Sequence, residues 1–320
     1  MPPDGSFDER AAATVVVART ARRAARSGVL WGVVFGGYVA VSASGYASLY
    51  PGAAARAKLA ASFGANAGLA ALVGTARRLD TVAGFTAWRS LGVLSVVGAV
   101  WGLFSATRLL RGEEDTGRWE FYLAGQTTRG RAATQGLVGL MAGLAALWVV
   151  TGAITVAEGS TSSVRFSTSG SLFLATALVA GAAIFMSVGA LIAELAPSRR
   201  SANGIGAGVL GVSFLIRMVA DSGSGLAWLR WASPLGWCEQ LHPLTGSSPS
   251  ALAPMVVLVV TATLAAVTVA GRRDVGAGVL AGHDTPTSST ALLSGPGSLA
   301  LGCCARWPRD GSPAWPPLGS

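Results

Sequence analysis

Arg217 and Asp221 stand four residues apart near the end of an apolar run, FLIRMVAD, the spacing that puts two side chains on one helix face one turn apart. A charge inside such a run costs several kcal/mol unless it is paired or reaches the lipid headgroups. Two readings follow: an ion pair or headgroup contact at the outer end of a helix, or a polar contact on a path through the membrane. A second chemical set is RLLRGEEDTGRWEFYLAGQTTRGR, residues 108–131. Glu113, Glu114 and Asp115 suit the positive first turn of a helix. Trp119, Phe121, Tyr122 and Leu123 follow as an apolar set, Gly125 offers a stop, and Thr127 or Thr128 can cap the next helix. Charges and aromatics side by side on a short amphipathic helix suit docking to a cytosolic partner; the plainer reading is a solvated loop whose charges fix topology. The rest of the inventory is poor in catalytic chemistry. His242 and His283 stand outside any H-E-x-x-H pattern, no G-x-S-x-G occurs, and Cys238, Cys303 and Cys304 form neither an even disulfide framework nor a metal-ligand spacing. The single lysine, Lys58, is followed by Leu59, so the Gly-Lys-Ser/Thr of a phosphate-binding loop is missing.

Six apolar runs must position these residues, near 29–50, 90–107, 132–157, 171–193, 201–220 and 251–271. About 20 helical residues rising about 1.5 Å each match a hydrocarbon core of about 30 Å. Backbone amides in lipid must pair within their own segment, and continuous Leu/Val/Ala/Gly runs are not the short alternating strands of a barrel. The fold class expected is therefore an all-α membrane protein with six transmembrane helices. Domain boundaries follow: a cytoplasmic basic segment over 1–28, a six-span membrane domain over 29–271, and a cytoplasmic Pro/Ser/Gly-rich tail over 272–320 that reads as disordered.

The net charge of +9 comes from 23 arginines and one lysine, which raises the question of nucleic acid. Their placement answers it: arginines gather beside the apolar runs, whereas a nucleic-acid binder collects them on one face of a soluble domain. The partner implied is the lipid bilayer. Basic residues accumulate on the cytoplasmic side. With the N-terminus inside, fourteen fall in cytoplasmic segments and seven in outer ones, which favours an N-in/C-in topology. Arg19, Arg22, Arg23 and Arg26 at helical spacing suggest a basic helix lying on the inner leaflet, or a stop that serves topology alone. The first apolar run is too long for the core of a cleaved signal and reads as a retained anchor.

Between the first two spans, Leu59 and Phe63, then Leu69, Leu72 and Val73, repeat at helical spacing and predict short helices on the outer surface. Trp228, Trp231 and Trp237 lie in the outer segment 221–250, where indoles anchor at the membrane interface. Gly136, Gly139 and Gly143, then Gly204, Gly206, Gly208 and Gly211, leave helix faces bare for close approach.

Several ordered motifs carry a family resemblance. Glu113, Glu114, Gly117, Arg118, Glu120 and Ala124 give E-E-x-x-G-R-x-E-x-x-x-A; GFTAWR at 84–89 opens the second span; SRRSANG at 198–204 joins the fourth and fifth; FLIR at 214–217 with Asp221 closes the fifth; SPLGW at 233–237 precedes the sixth. Over about Arg19 to Leu280 the chain resembles the membrane permease of actinobacterial ABC exporters of the polyketide-antibiotic type. That resemblance implies export of lipophilic, antibiotic- or drug-like molecules through the cell membrane, with no cofactor in this chain and ATP bound by a separate cytosolic ABC ATPase subunit. It further implies that Glu113, Glu114, Gly117, Arg118 and Glu120 form the coupling segment. Such permeases usually carry two six-span halves, so the chain reads as a first half that needs a second half or a homodimer, or as a truncated or frame-shifted product. The rival readings are an ion-driven secondary transporter, which would favour buried acids near the bilayer centre, a non-transporting scaffold, and an intramembrane hydrolase, for which the inventory is poor.

Overall fold

A computed structural model of the chain describes residues 6–64, 66–110 and 129–272. The described residues form helices and no strands: α1 (Ser6–Leu49), α2 (Ala53–Gly64), α3 (Ala67–Val73), α4 (Val82–Leu110), α5 (Arg129–Gly159), α6 (Thr168–Leu195), α7 (Arg199–Ser222), a 3-10 segment (Ser224–Ala232), α8 (Pro234–Gln240) and α9 (Leu252–Arg272), with a further 3-10 turn at Pro249–Ala251. Among the described residues six helices, α1, α4, α5, α6, α7 and α9, are long and apolar enough to cross a membrane. Each contains one of the six apolar runs almost entirely, and α4 begins eight residues earlier than its run because GFTAWR joins the helix.

The basic N-terminal stretch differs from the expected separate surface helix. Arg22, Arg23 and Arg26 stand exposed on the same continuous helix as the first span. Packing explains the continuity: Thr20 and Ala24 of α1 lie against Gly139 and Gly143 of α5, and at Gly28 a Cβ would overlap the Gly143 carbonyl. The two helices thus approach backbone to backbone along a shared glycine seam, the contact that small residues permit in lipid.

The spans alternate in direction. At one end, here the near end, α4 finishes beside the start of α7, and Thr107 Oγ1 donates to Asn203 Oδ1 at 2.7 Å. At the other, the far end, Tyr46 of α1 stacks on Phe85 of α4 with ring centroids 4.4 Å apart and donates its hydroxyl to the Leu79 carbonyl. Leu59 of α2 and Val164 from the α5–α6 connection join that cluster, so the short helices α2 and α3 belong to the far end, as their sequence spacing predicts. The central core sits on α4 and α6: 67% of the apolar stretch of α6 is buried, against 28% for α7 and 17% for α9. Gly204, Gly208 and Gly211 accordingly meet nothing, whereas Gly206 faces Leu103 of α4.

Candidate functional site

The densest polar chemistry among the described residues lies at the far end of α7. Arg217 is 0% exposed, so it does not reach headgroups. Its Nη2 donates to the Leu72 carbonyl of α3 at 2.7 Å, its Nε lies 3.0 Å from Glu239 Oε1 of α8 and 3.8 Å from Asp221 Oδ2, and its guanidinium carbon sits 5.1 Å from the Phe214 ring centroid. Arg230 completes the group, its Nε donating to Asp221 Oδ1 at 2.6 Å. Two arginines and two carboxylates from three successive elements thus share one buried cluster.

Local sequence explains how the elements converge. Gly223 ends α7 in an extended conformation, and the 3-10 segment turns back to set Arg230 over Asp221. Ser233 then caps α8, with Pro234 in its first turn. The Ser233 hydroxyl also donates to the Ser213 carbonyl at 2.7 Å, which pins the start of α8 to α7. A Cβ at Gly236 would overlap the Arg230 carbonyl, so the glycine is needed for that approach. On the opposite wall Gly74 adopts φ +104, the left-handed region open to glycine, and a Cβ there would strike the Glu239 carboxylate. Trp88 of α4 fixes this turn by donating Nε1 to the Gly74 carbonyl at 2.7 Å.

Burial dominates the electrostatics. It pushes the Glu239 carboxyl up to about 8, against the pull of Arg217 and with the Asp221 charge adding to the rise. It also pushes the neighbouring Cys238 thiol up to about 12, and it lowers His242, helped by Arg77 and Arg230. Asp221 Oδ2 and both Glu239 oxygens lack aligned hydrogen bonds. A cavity of about 30 Å³ adjoins Glu239, between Gly74, Arg77, Trp88, His242 and Thr245.

Arg217 and Asp221, singled out from sequence, are therefore neighbours, although the closest acid to Arg217 is Glu239 and the closest base to Asp221 is Arg230. Glu239 and Arg230 escaped sequence reading; the available signal was that Glu239 is the only acid between Ser222 and Ser250. Glu113, Glu114, Gly117, Arg118 and Glu120 lie outside the described residues, as does the segment 273–320. At the near end α4 ends at Leu110 and α5 begins at Arg129, the two described residues that bracket this stretch of sequence.

Six alternating apolar helices, capped at one end by short helices and a buried ion cluster, define a polytopic helical membrane protein. The comparison with known families gives the particular kind. The chain belongs to the family described as multidrug efflux system permease Rv1217c, C-terminal domain, whose pattern matches residues 40–273. It is 32% identical over 253 residues to the multidrug efflux system permease protein Rv1217c of Mycobacterium tuberculosis (strain ATCC 25618 / H37Rv), an alignment covering 79% of this chain and 44% of that protein. The chain thus spans less than half the length of this relative.

Proposed function

We propose that the chain is a six-span permease unit of an ATP-driven exporter in the plasma membrane, moving lipophilic drug-like molecules outward and drawing its energy from a separate cytosolic ABC ATPase. Family membership over residues 40–273, in a fold of six spans, is the observation that carries this reading. With the N- and C-termini inside, the near end faces the cytosol, and Glu113, Glu114, Gly117, Arg118 and Glu120, between α4 and α5 in sequence, are assigned to contact with the ATPase. The bilayer surrounds the spans, and the far end faces outward.

The other partner is a second six-span half, since the relative is more than twice as long as the matched stretch. The surface suited to it runs along α7 and α9, the least buried spans, where Gly204, Gly208 and Gly211 leave a bare face. Gly208→Trp is expected to leave the thermal stability of the chain within about 0.5 kcal/mol, as for a surface site, while the second half no longer co-purifies. Retained co-purification would move the interface elsewhere, and self-association lost by the same substitution would assign the face to a homodimer.

Co-reconstitution of the chain, the second half and the ATPase in proteoliposomes tests the function, with ethidium as the transported probe. Ethidium movement should require ATP and stop with a hydrolysis-dead ATPase. Movement driven by a proton gradient without ATP would overturn the proposal in favour of an ion-driven transporter.

A further inference from the structure

Five polar atoms in the Arg217 cluster are buried without aligned partners: Nε and Nη1 of Arg217, Oδ2 of Asp221 and both carboxylate oxygens of Glu239. Unmet buried groups are costly, and two carboxylates crowded around one guanidinium repel each other. A single proton on Glu239, donated toward Asp221 Oδ2, would satisfy an oxygen of each acid and remove the repulsion. The cluster is also well placed to report the state of its surroundings. It ties α7 to α3 through Leu72, to α8 through Glu239 and to the 3-10 segment through Arg230, so moving any of these elements breaks it.

We propose that Asp221 and Glu239 form a proton-binding carboxyl pair, clasped by Arg217, that holds one proton while α3 and α8 are closed over the far end and releases it when they part. The groups facing the pair are Arg217 from α7, Arg230 from the 3-10 segment, Arg77 from the α3–α4 connection, and Cys238 and His242 on or just after α8. The cavity of about 30 Å³ beside Glu239 has room for a water molecule, which gives the proton a way in and out without unfolding. The balance is simple: on closing, one carboxylate takes a proton from solvent hydronium at the far end, whose O–H bond breaks as the carboxyl O–H forms and water is left; on opening, the carboxyl O–H breaks and water takes up the proton. No other reactant is needed, and the device operates whether or not the chain exports drugs.

The direction of the pH dependence follows from linkage. In the open, hydrated arrangement Glu239 has its ordinary value of 4.5, and in the closed one burial raises it to about 8. Between these values the closed form binds more protons, so closure weakens as pH rises across that window, stays constant above it, and is strongest below 4.5.

Two measurements on the full chain in lipid nanodiscs test this. By infrared pH titration, the wild type should show a protonated-carboxyl band that persists at pH 7 and disappears by about pH 9; Glu239→Gln should lack it and Glu239→Asp should retain it. In a Cys303→Ser/Cys304→Ser background, buried Cys238 reports opening through maleimide labelling. The labelling rate of wild type relative to Glu239→Gln, compared at the same pH to remove the general rise of thiol reactivity, should rise about a hundredfold from pH 6 to pH 9. Comparison of the two variants by size exclusion and heat stability identifies any that fail to fold, and Glu239→Asp then carries the test. Absence of the band at pH 7 in the wild type, the same band in folded Glu239→Gln, or a constant labelling ratio overturns the proposal.

Discussion

Arg217→Met is expected to destabilise the far end of the bundle by about 3–5 kcal/mol at alkaline pH, where Glu239 is ionised, the usual cost of removing one partner of a buried pair. Methionine replaces much of the apolar stem of Arg217, one of the largest fully buried side chains among the described residues, but it cannot donate to the Leu72 carbonyl or face Glu239. Asp221 keeps Arg230 at 2.6 Å, so the acid left without a counter-charge is Glu239. The wild-type carboxyl ionises near 8 in the closed state only because Arg217 offsets its burial. Without the guanidinium that ionisation moves higher, and the deficit should deepen by about 1.4 kcal/mol for each pH unit above 8 until the new value is reached. Thermal stability in detergent, followed by size exclusion from pH 6 to pH 10, checks both the loss and its slope. The double variant Arg217→Met/Glu239→Gln should lose the slope and regain part of the stability, because no lone acid remains buried. A single variant as stable as wild type at pH 9 would show that Arg217 does not hold the far end together.

How far these features could be read from sequence depends on the range of the force involved. Hydrophobic length and the internal hydrogen bonding required in lipid act within each segment, which is why the runs near 171–193 and 251–271 coincide with α6 and α9 to within a few residues. The helical spacing of Leu59 and Phe63, and of Leu69, Leu72 and Val73, is likewise local, and these residues fall on α2 and α3. The continuity of α1 was not legible, because it depends on Gly139 and Gly143, more than a hundred residues away, meeting Thr20 and Ala24. The ion cluster was half legible. Arg217 and Asp221 are one turn apart on a single helix and advertise each other, whereas Glu239 and Arg230 arrive only after a 3-10 segment and a serine-capped turn have folded back on α7. Glycine roles divided in the same way: the sequence marks Gly139 and Gly208 alike, and only packing shows that one is sealed against α1 and the other faces outward.

Glu113→Lys/Glu114→Lys is expected to reduce ATP-dependent ethidium export at least about tenfold, equivalent to about 1.4 kcal/mol or more of lost coupling, while leaving the six-span fold intact. The argument rests on charge and position. On the proposed function these acids contact the ATPase, and their stretch of sequence joins the end of α4 at Leu110 to the start of α5 at Arg129, so a push on it would reach two spans. Rim charges set the rate and register of docking, so on the proposed function reversing two of them should weaken contact with a basic patch on the ATPase. Weakened co-purification of the ATPase that recovers with compensating substitutions on the ATPase would locate the contact. Reversal that leaves both docking and export unchanged would remove this segment from the energy path. Labelling supplies the independent check: a cysteine at Thr116 should react with an impermeant maleimide from the cytosolic side of inverted vesicles, and reaction from the cell exterior would invert the topology on which the coupling depends.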